Sequence, residues 1–285
     1  MTDAVTPLRR RGRPPSAAEA GGEVQSLDRA IGILEVVAAA DGLNLSEIAR
    51  RTDLPTSTVH RLLATLQRRG LVAHEADSGA WTVGIGLFRI GAAYLRIRKL
   101  PEISRPVIRD LLREVEETVN VSMVDGNELV CVAQAESHAP MRAFFRIGRR
   151  MPIHASAAGK AILSAASERV REDLLSHAVL ERFTGYTHTT RQSLEADLAK
   201  TAERGWAIDH EEHTPGMRCV SAPILDEWGE PIGALSISAP SVRMPAKRLI
   251  ALGQRARKAA DQLTTMFSGL RTHHTPGREQ PNEHS

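Results

Sequence analysis

The stretch LSEIARRTDLPTSTVHRLLATLQRRGLV, residues 45–72, contains two helical patterns on either side of a short turn. In the first pattern apolar residues recur at helical spacing, and Pro55 then keeps Leu54 away from helical backbone angles. The second pattern predicts a longer helix over 56–69, which Gly70 ends. A short helix, a tight turn and a longer helix together indicate a helix-turn-helix motif.

The segments on both sides extend this motif. An apolar helical stripe begins near Ser26, the predicted N-cap residue. Two strand-like pieces over 71–74 and 80–83 are joined by a polar, glycine-containing loop, which predicts a β-hairpin. We therefore predict a winged helix-turn-helix domain over 25–84, followed by a linker helix over 85–100.

The longer helix has the two faces that a DNA recognition helix requires. At 100° per residue its leucines and Val59 fall on one side, and hydroxyl and basic residues fall on the other. Arg61 is a candidate for contacting a guanine edge or a phosphate. For this helix alone, an ordinary solvated face is the alternative. The candidate DNA-contacting residues are Ser46, Thr56, Ser57, Thr58, His60, Arg61, Thr65 and Arg68.

The basic charge of the chain is concentrated near its start. Residues 1–98 contain 13 arginines, no lysine and 10 acidic residues, so the net charge of +3 lies there. The segment RRRGRPP, residues 9–15, falls in a stretch, 1–24, that we predict to be disordered. Its core resembles an AT-hook, in which Arg11 and Arg13 enter the minor groove of A·T-rich DNA. A solvated tail is the alternative.

Composition narrows the class of protein. The 285 residues leave room for two domains, and 42% hydrophobic with 25% charged residues is typical of soluble globular proteins. No apolar run is long enough for a membrane span, no secretory signal is apparent, and two cysteines do not form a disulfide framework. We expect a cytoplasmic protein without a membrane partner.

The remaining chain, 101–270, alternates helical and strand-like patterns with several hairpin-like turns. This pattern predicts an α+β domain on a mostly antiparallel sheet, before a disordered tail over 271–285. The predicted helices are Pro106–Thr118, 156–165, 168–176, 191–204 and 245–270, and the predicted strands are 119–124, 129–134, 141–146, 206–210, 219–225 and 232–238.

Two segments of this domain suggest a small-molecule pocket. Strand alternation places Ser236 and Ser238 on one face and Ile237 on the other. The segment HASAAGK, residues 154–160, begins a helix with small residues, where open backbone N–H groups favour a carboxylate. Asp209 and Cys219 add an acceptor and a weak donor. Solvent-facing serines and a tight helix–sheet contact are the alternatives.

The sequence resembles the IclR family of bacterial transcriptional regulators over about residues 24–268. The segments that carry the resemblance are LSEIARRTDLPTSTVHRLLATLQRRGLV, ETVNVSMVDGNELVCVAQ, MPIHASAAGKAIL, GWAIDHEEHTPGMRCVSAPI and GALSISAPSVR. Membership implies an N-terminal winged helix-turn-helix and a C-terminal effector-binding domain of GAF-like fold. It also implies homodimers, often paired into tetramers, on palindromic operators, frequently as repressors.

The pocket segments look similar to the glyoxylate-responsive subgroup, which includes the allantoin repressor and the regulator of the β-hydroxyaspartate cycle. That resemblance implies glyoxylate as effector, no cofactor, and control of genes for glyoxylate or small-acid metabolism. Ala157 stands where a glycine is common, which would narrow the pocket. A different small or aromatic carboxylate is the alternative. The implied effector contacts are Ser156, Ala157, Ala158, Asp209, Cys219, Ser236, Ile237 and Ser238.

The polar residues of this domain leave two other functions to consider. A thiol-dependent enzyme would use Cys219 with His154 or His213, but no orienting group or nucleophile motif accompanies them, so we predict no enzyme activity. A metal site would draw on the same three residues with Asp209 and His210. Their spacing is not that of a His-Glu-x-x-His site, and we expect no bound metal.

Overall fold

The computed structural model describes residues 24–97, 99–139, 146–176 and 178–272. Nearly all of the predicted disordered ends and of the predicted strand 141–146 lie outside the described residues; residues 271–272, predicted as part of the tail, are helical. The chain divides into two compact units between Tyr94 and Leu95. The elements of the first unit are α1 Gln25–Ala38, α2 Leu45–Thr52, α3 Thr56–Arg68, β1 Val72–His74, β2 Trp81–Val83 and α4 Ile85–Ile97, which runs past the division.

The first unit is a winged helix-turn-helix, as predicted. Helices α1, α2 and α3 enclose a core that includes Ile33, Ile48 and Leu63, none of which is exposed. The wing is the antiparallel pair β1–β2, and Leu43 forms an additional bridge to Trp81. This packing buries one side of α3 and leaves its other side open.

The predicted N-cap of α1 is wrong. Ser26 lies inside the first turn, because the backbone amides of Leu27 and Asp28 both donate to the carbonyl oxygen of Val24. The N-cap is therefore Val24, which provides no side-chain hydrogen bond to the helix.

The second unit is built on one six-stranded antiparallel sheet in the order β5-β4-β3-β8-β7-β6. One face packs against α5 and α9, and the other packs against α6, α7 and α8. This is the predicted α+β architecture. The elements are α5 Leu100–Val115, β3 Thr118–Asp125, β4 Glu128–Ala135, β5 Arg150–Pro152, α6 Ala157–Ala165, α7 Glu168–Ser176, α8 Arg191–Arg204, β6 Ala207–His210, β7 Met217–Leu225, β8 Pro231–Pro240 and α9 Ala246–Thr272.

Helix α5 differs from its predicted bounds. It begins at Leu100 rather than at Pro106, because Pro101 is tolerated in the first turn, where an N–H has no helical partner. Pro106 lies within the helix and removes one hydrogen bond from it. The buried residues Val107, Ile108 and Leu111 hold this part of α5 on the sheet. Among the described residues, no helix is long and apolar enough to cross a membrane.

Candidate functional site

The open side of α3 carries nearly all of the candidate DNA-contacting residues. Thr58 is half-buried, whereas the others on this helix are exposed: Thr56, Ser57, His60, Arg61, Thr65 and Arg68. Ser46 is exposed in the first turn of α2 and donates a hydrogen bond to Asn44 Oδ1 at 2.7 Å. The structure thus places these residues on two neighbouring helices of one unit.

The beginning of α3 is suited to an anionic partner. Pro55 precedes it and no side chain caps it, so the first backbone N–H groups have no helical partner. Arg29 lines the groove between α1 and α3 together with Arg61 and adds a second basic side chain there. The sequence alone did not indicate Arg29, because its position next to α3 depends on how the two helices pack. Arg11 and Arg13 lie outside the described residues. The groove is lined by Gln25, Ser26, Arg29, Thr58, Arg61, Leu62 and Thr65.

A cavity in the second unit brings together seven of the eight predicted effector contacts. Its volume is about 30 Å³, a few times the space that one water molecule needs, roughly 10–15 Å³ on the same measure. The predicted residues that line it are Ser156, Ala157, Ala158, Asp209, Cys219, Ser236 and Ser238. The lining residues that the sequence analysis did not select are Asn120, Cys131, Met151, His213, Thr214, Met217 and Arg218.

Ile237 is the predicted contact that the structure does not bring to the cavity. Its side chain is fully buried on the opposite face of β8, in the core beneath α5 and α9. This follows from strand alternation, which separates it from Ser236 and Ser238.

The N-terminus of α6 forms one wall of the cavity. Ser156 caps the helix, accepting from the Gly159 amide at 3.2 Å and donating to the Pro152 carbonyl oxygen at 2.9 Å. A Cβ on Gly159 would lie 1.9 Å from the carbonyl oxygen of Ile153, so only glycine fits there. The small residues therefore serve two purposes: Gly159 permits close packing, and Ala157 and Ala158 leave the helix end open to the cavity.

The sheet forms the opposite wall. Asp209, Cys219 and Ser238 lie side by side on β6, β7 and β8 in direct register. Ser238 Oγ donates to Cys219 Sγ at 3.1 Å. Ser236 lies two residues before Ser238 on the same face. A ligand in the cavity would thus meet backbone donors on one side and side-chain oxygens on the other.

Asp209 is the ionisable group of this wall. Its Oδ1 accepts from the backbone amide of Glu212 at 2.7 Å. Burial raises the pKa of Asp209 to about 7, and the nearby carboxylate of Glu212 contributes to the rise. The side chain therefore changes charge near neutral pH.

Behind Asp209 lies a charge cluster, which we call the Lys160 cluster: the buried Lys160 and Glu212 together with the half-buried Asp197 and His188. The fully buried Lys160 Nζ lies 2.8 Å from Asp197 Oδ2 and forms an ion pair with Glu212 Oε1. Burial acts to raise the pKa of Asp197, but the charge and hydrogen bond of Lys160 outweigh it and hold that pKa below its ordinary value. The cluster was missed because its members are distant in sequence.

The same cluster bears on the metal alternative. Within the described part of the chain, His188, Asp197 and Glu212 are the one group whose ligand atoms lie close enough to share an ion. The ammonium of Lys160 already pairs with both carboxylates, which offsets half of the negative charge that would attract a cation. None of the residues considered as metal ligands from sequence belongs to this group.

The thiols of the cavity have little nucleophilic character. Burial raises the pKa of Cys219 to about 12 and that of Cys131 to about 11, so both are protonated at neutral pH. Cys219 hydrogen-bonds with Ser238 and with the Val220 carbonyl oxygen rather than with an imidazole. His154 Nε2 instead lies 3.0 Å from the carbonyl oxygen of Glu181.

Comparison with known proteins identifies both units by family. Residues 26–76 match the IclR helix-turn-helix domain. Residues 92–265 match the C-terminal domain of the bacterial transcriptional regulator IclR. The chain belongs to the IclR family. It is therefore a DNA-binding transcriptional regulator rather than an enzyme, with an effector domain of the kind that binds small molecules.

Three relatives show how far the regulator resembles known proteins. It is 42% identical over 262 residues to the HTH-type transcriptional regulator BhcR of Paracoccus denitrificans, covering 90% of this chain and 94% of that one. It is 37% identical over 273 residues to the HTH-type transcriptional repressor AllR of Escherichia coli, covering 94% and 100%. An IclR homologue from Microbacterium hydrocarbonoxydans, solved with 4-hydroxybenzoate, superposes with a TM-score of 0.71 at 26% identity, covering 86% of this chain and 99% of that one.

Proposed function

We propose that the regulator binds operator DNA through α3 and that glyoxylate, bound in the cavity of the second unit, changes the affinity for that DNA. The observation that carries the effector proposal is the cavity itself, where the open N-terminus of α6 faces Asp209 and Ser236. The genes that the regulator controls would belong to glyoxylate or small-acid metabolism. The regulator would act in the cytoplasm.

The chemistry of the two walls fits a small oxo acid. The backbone amides at Ala157 and Ala158 would bind the carboxylate, because the N-terminal end of a helix carries partial positive charge. Asp209 and the hydroxyls of Ser236 and Ser238 would bind the hydroxyl groups of the hydrated aldehyde. Cys219 stays protonated and contributes a weak donor.

An aromatic carboxylate is the second candidate effector, supported by the likeness to the structure solved with 4-hydroxybenzoate. The cavity of about 30 Å³ favours the smaller acid, since a benzoate would require its lining to move apart. Asp209 and the serines also supply more polar groups than an aromatic ring can use.

Self-association is part of the proposal. Leu27 and Ile31 on α1 are 59% and 47% exposed, and Ile85 and Phe88 on α4 are 72% and 65% exposed. Apolar side chains grouped on exposed helices favour a protein partner. A dimer would place two α3 helices in successive major grooves of a palindromic operator. Pairing of dimers into tetramers, and minor-groove contacts by Arg11 and Arg13, are proposed from the family and from the AT-hook pattern.

Replacing Ser236 with Ala tests the effector site. We expect weaker glyoxylate binding by calorimetry and no change in operator affinity without ligand, because Ser236 lines the cavity and belongs to a different unit from α3. Ser221→Ala is the matched control: Ser221 lies opposite Ser236 on β7, but its hydroxyl donates to the Leu235 carbonyl oxygen at 2.9 Å. Equal glyoxylate affinity of Ser236→Ala and the unmodified chain would refute this site.

A further inference from the structure

Asn120 is a polar residue that lines the cavity but is not among the proposed effector contacts. It is the third residue of β3, and only 3% of it is exposed. Register places it directly opposite Ser236 on one side and Gln134 on the other. Directly opposed side chains in an antiparallel sheet have Cβ atoms about 4.5–5.5 Å apart. A ligand that contacts Ser236 is therefore within reach of Asn120.

The orientation of the Asn120 amide is set by its neighbour. Gln134 Nε2 donates to Asn120 Oδ1 at 3.0 Å, so the amide oxygen is directed towards β4. The NH₂ group is the other end of the same planar amide. Among the residues that the structure describes, Asn120 Nδ2 has no hydrogen-bond partner, and the residue lines the cavity. An amide NH₂ group that lines a cavity and has no partner in the protein is free to donate to an acceptor that enters the cavity.

The chemistry of this position differs from that of the rest of the sheet wall. Asp209 accepts hydrogen bonds when ionised, and serine hydroxyls both donate and accept, whereas an amide NH₂ group only donates. We propose that Asn120 is a specificity-determining residue, whose Nδ2 donates to a carboxylate or carbonyl oxygen of the effector beside Ser236. This rests on the proposed function of the cavity. The site would thereby favour acids that present an acceptor oxygen at the β3 side.

Asn120→Asp is the sharpest variant. Aspartate keeps the shape of the side chain and the Oδ1 acceptor for Gln134, and it replaces the NH₂ donor with an oxygen. We expect the full-length variant to bind sodium glyoxylate about ten- to a hundredfold more weakly in calorimetry, as for loss of a hydrogen bond to a charged ligand. Asn120→Ala removes the donor without introducing an acid and should weaken binding in the same direction. Ser221→Ala, on the same row of the sheet, should bind as the unmodified chain does.

A second readout separates direct contact from a structural role. In a ¹H–¹⁵N spectrum, the side-chain NH₂ signals that vanish in Asn120→Ala belong to Asn120, and they should shift as glyoxylate saturates the unmodified chain. Unchanged signals, or equal affinity of both Asn120 variants and the unmodified chain, would overturn this role while leaving glyoxylate as effector. Absence of glyoxylate binding by the unmodified chain would overturn the proposed effector and this role together.

Discussion

At the scale of the residue, Arg61 and Asp209 carry different parts of the function. Arg61 is exposed on α3, beside Arg29 in the groove between α1 and α3. Asp209 lines the cavity with a raised pKa. The guanidinium of arginine forms paired hydrogen bonds with a guanine edge or a phosphate. The protonation state of a carboxyl group that titrates near pH 7 changes readily with a bound ligand or a nearby charge.

Arg61→Ala should weaken operator binding by about 1–3 kcal/mol while changing binding to random DNA much less, if the guanidinium reads a base. Fluorescence anisotropy with both DNAs measures the difference. Arg113→Ala removes the same charge from α5 in the other unit, where Arg113 pairs with Asp110, and should change neither affinity. An equal loss on operator and random DNA would instead make Arg61 a phosphate contact.

Asp209→Asn should alter how stability depends on pH. The pKa of Asp209 is about 7 in the folded chain, against an ordinary value of 3.8. Between these values the folded chain holds a proton that the unfolded chain has released, so this group lowers stability as pH rises. We expect the Tm of the unmodified chain to fall relative to that of Asp209→Asn from pH 5 to pH 8, without ligand. Parallel Tm curves would contradict the raised pKa.

At the scale of the element, the Lys160 cluster links α6, α8 and the segment after β6. Lys160 lies on α6, Asp197 on α8, and Glu212 beyond the end of β6. The backbone amide of Glu212 also donates to Asp209, so the cluster supports the wall of the cavity. Buried ion pairs are costly to break, because each partner left alone is a charge without solvent.

Lys160→Met should reduce the free energy of unfolding by about 3–5 kcal/mol, because it leaves two carboxylates without their cation. Urea denaturation of the full-length chain measures the loss. Lys200→Met on α8 is the control: Lys200 is exposed, and its replacement should change stability by less than about 0.5 kcal/mol. A Lys160→Met variant as stable as Lys200→Met would show that the cluster contributes little.

Sequence patterns predicted most elements, because periodicity and turn residues act locally. The sequence predicts too late a beginning for α5, because Pro106 resembles a helix start, whereas packing holds this proline inside the helix. Strand β5 was not predicted, because its three residues are too few to show the alternation of apolar and polar side chains that indicates a strand. Within the candidate site, strand alternation places Ile237 and Ser236 on opposite faces of β8, whereas the family resemblance implied that both contact the effector. The structure agrees with the alternation. Lys160 and Asn120 depend on partners brought near by the sheet, which no local pattern reveals.

At the scale of the whole molecule, the proposal requires the cavity and α3 to be energetically coupled. The two lie in different compact units, and α4 crosses the division between Tyr94 and Leu95. Coupling of this kind typically amounts to about 1–3 kcal/mol, which changes affinity roughly five- to 150-fold. By thermodynamic reciprocity, operator DNA must change glyoxylate affinity by the same factor.

The most direct test is quantitative footprinting of the regulator on the DNA upstream of its own gene, with and without glyoxylate. We predict a protected palindromic site, and glyoxylate should change the affinity of the regulator for it roughly five- to 150-fold. Glyoxylate should not be consumed, and a chelator should not change the affinity. Protection that is the same at every glyoxylate concentration would contradict glyoxylate control of this regulator.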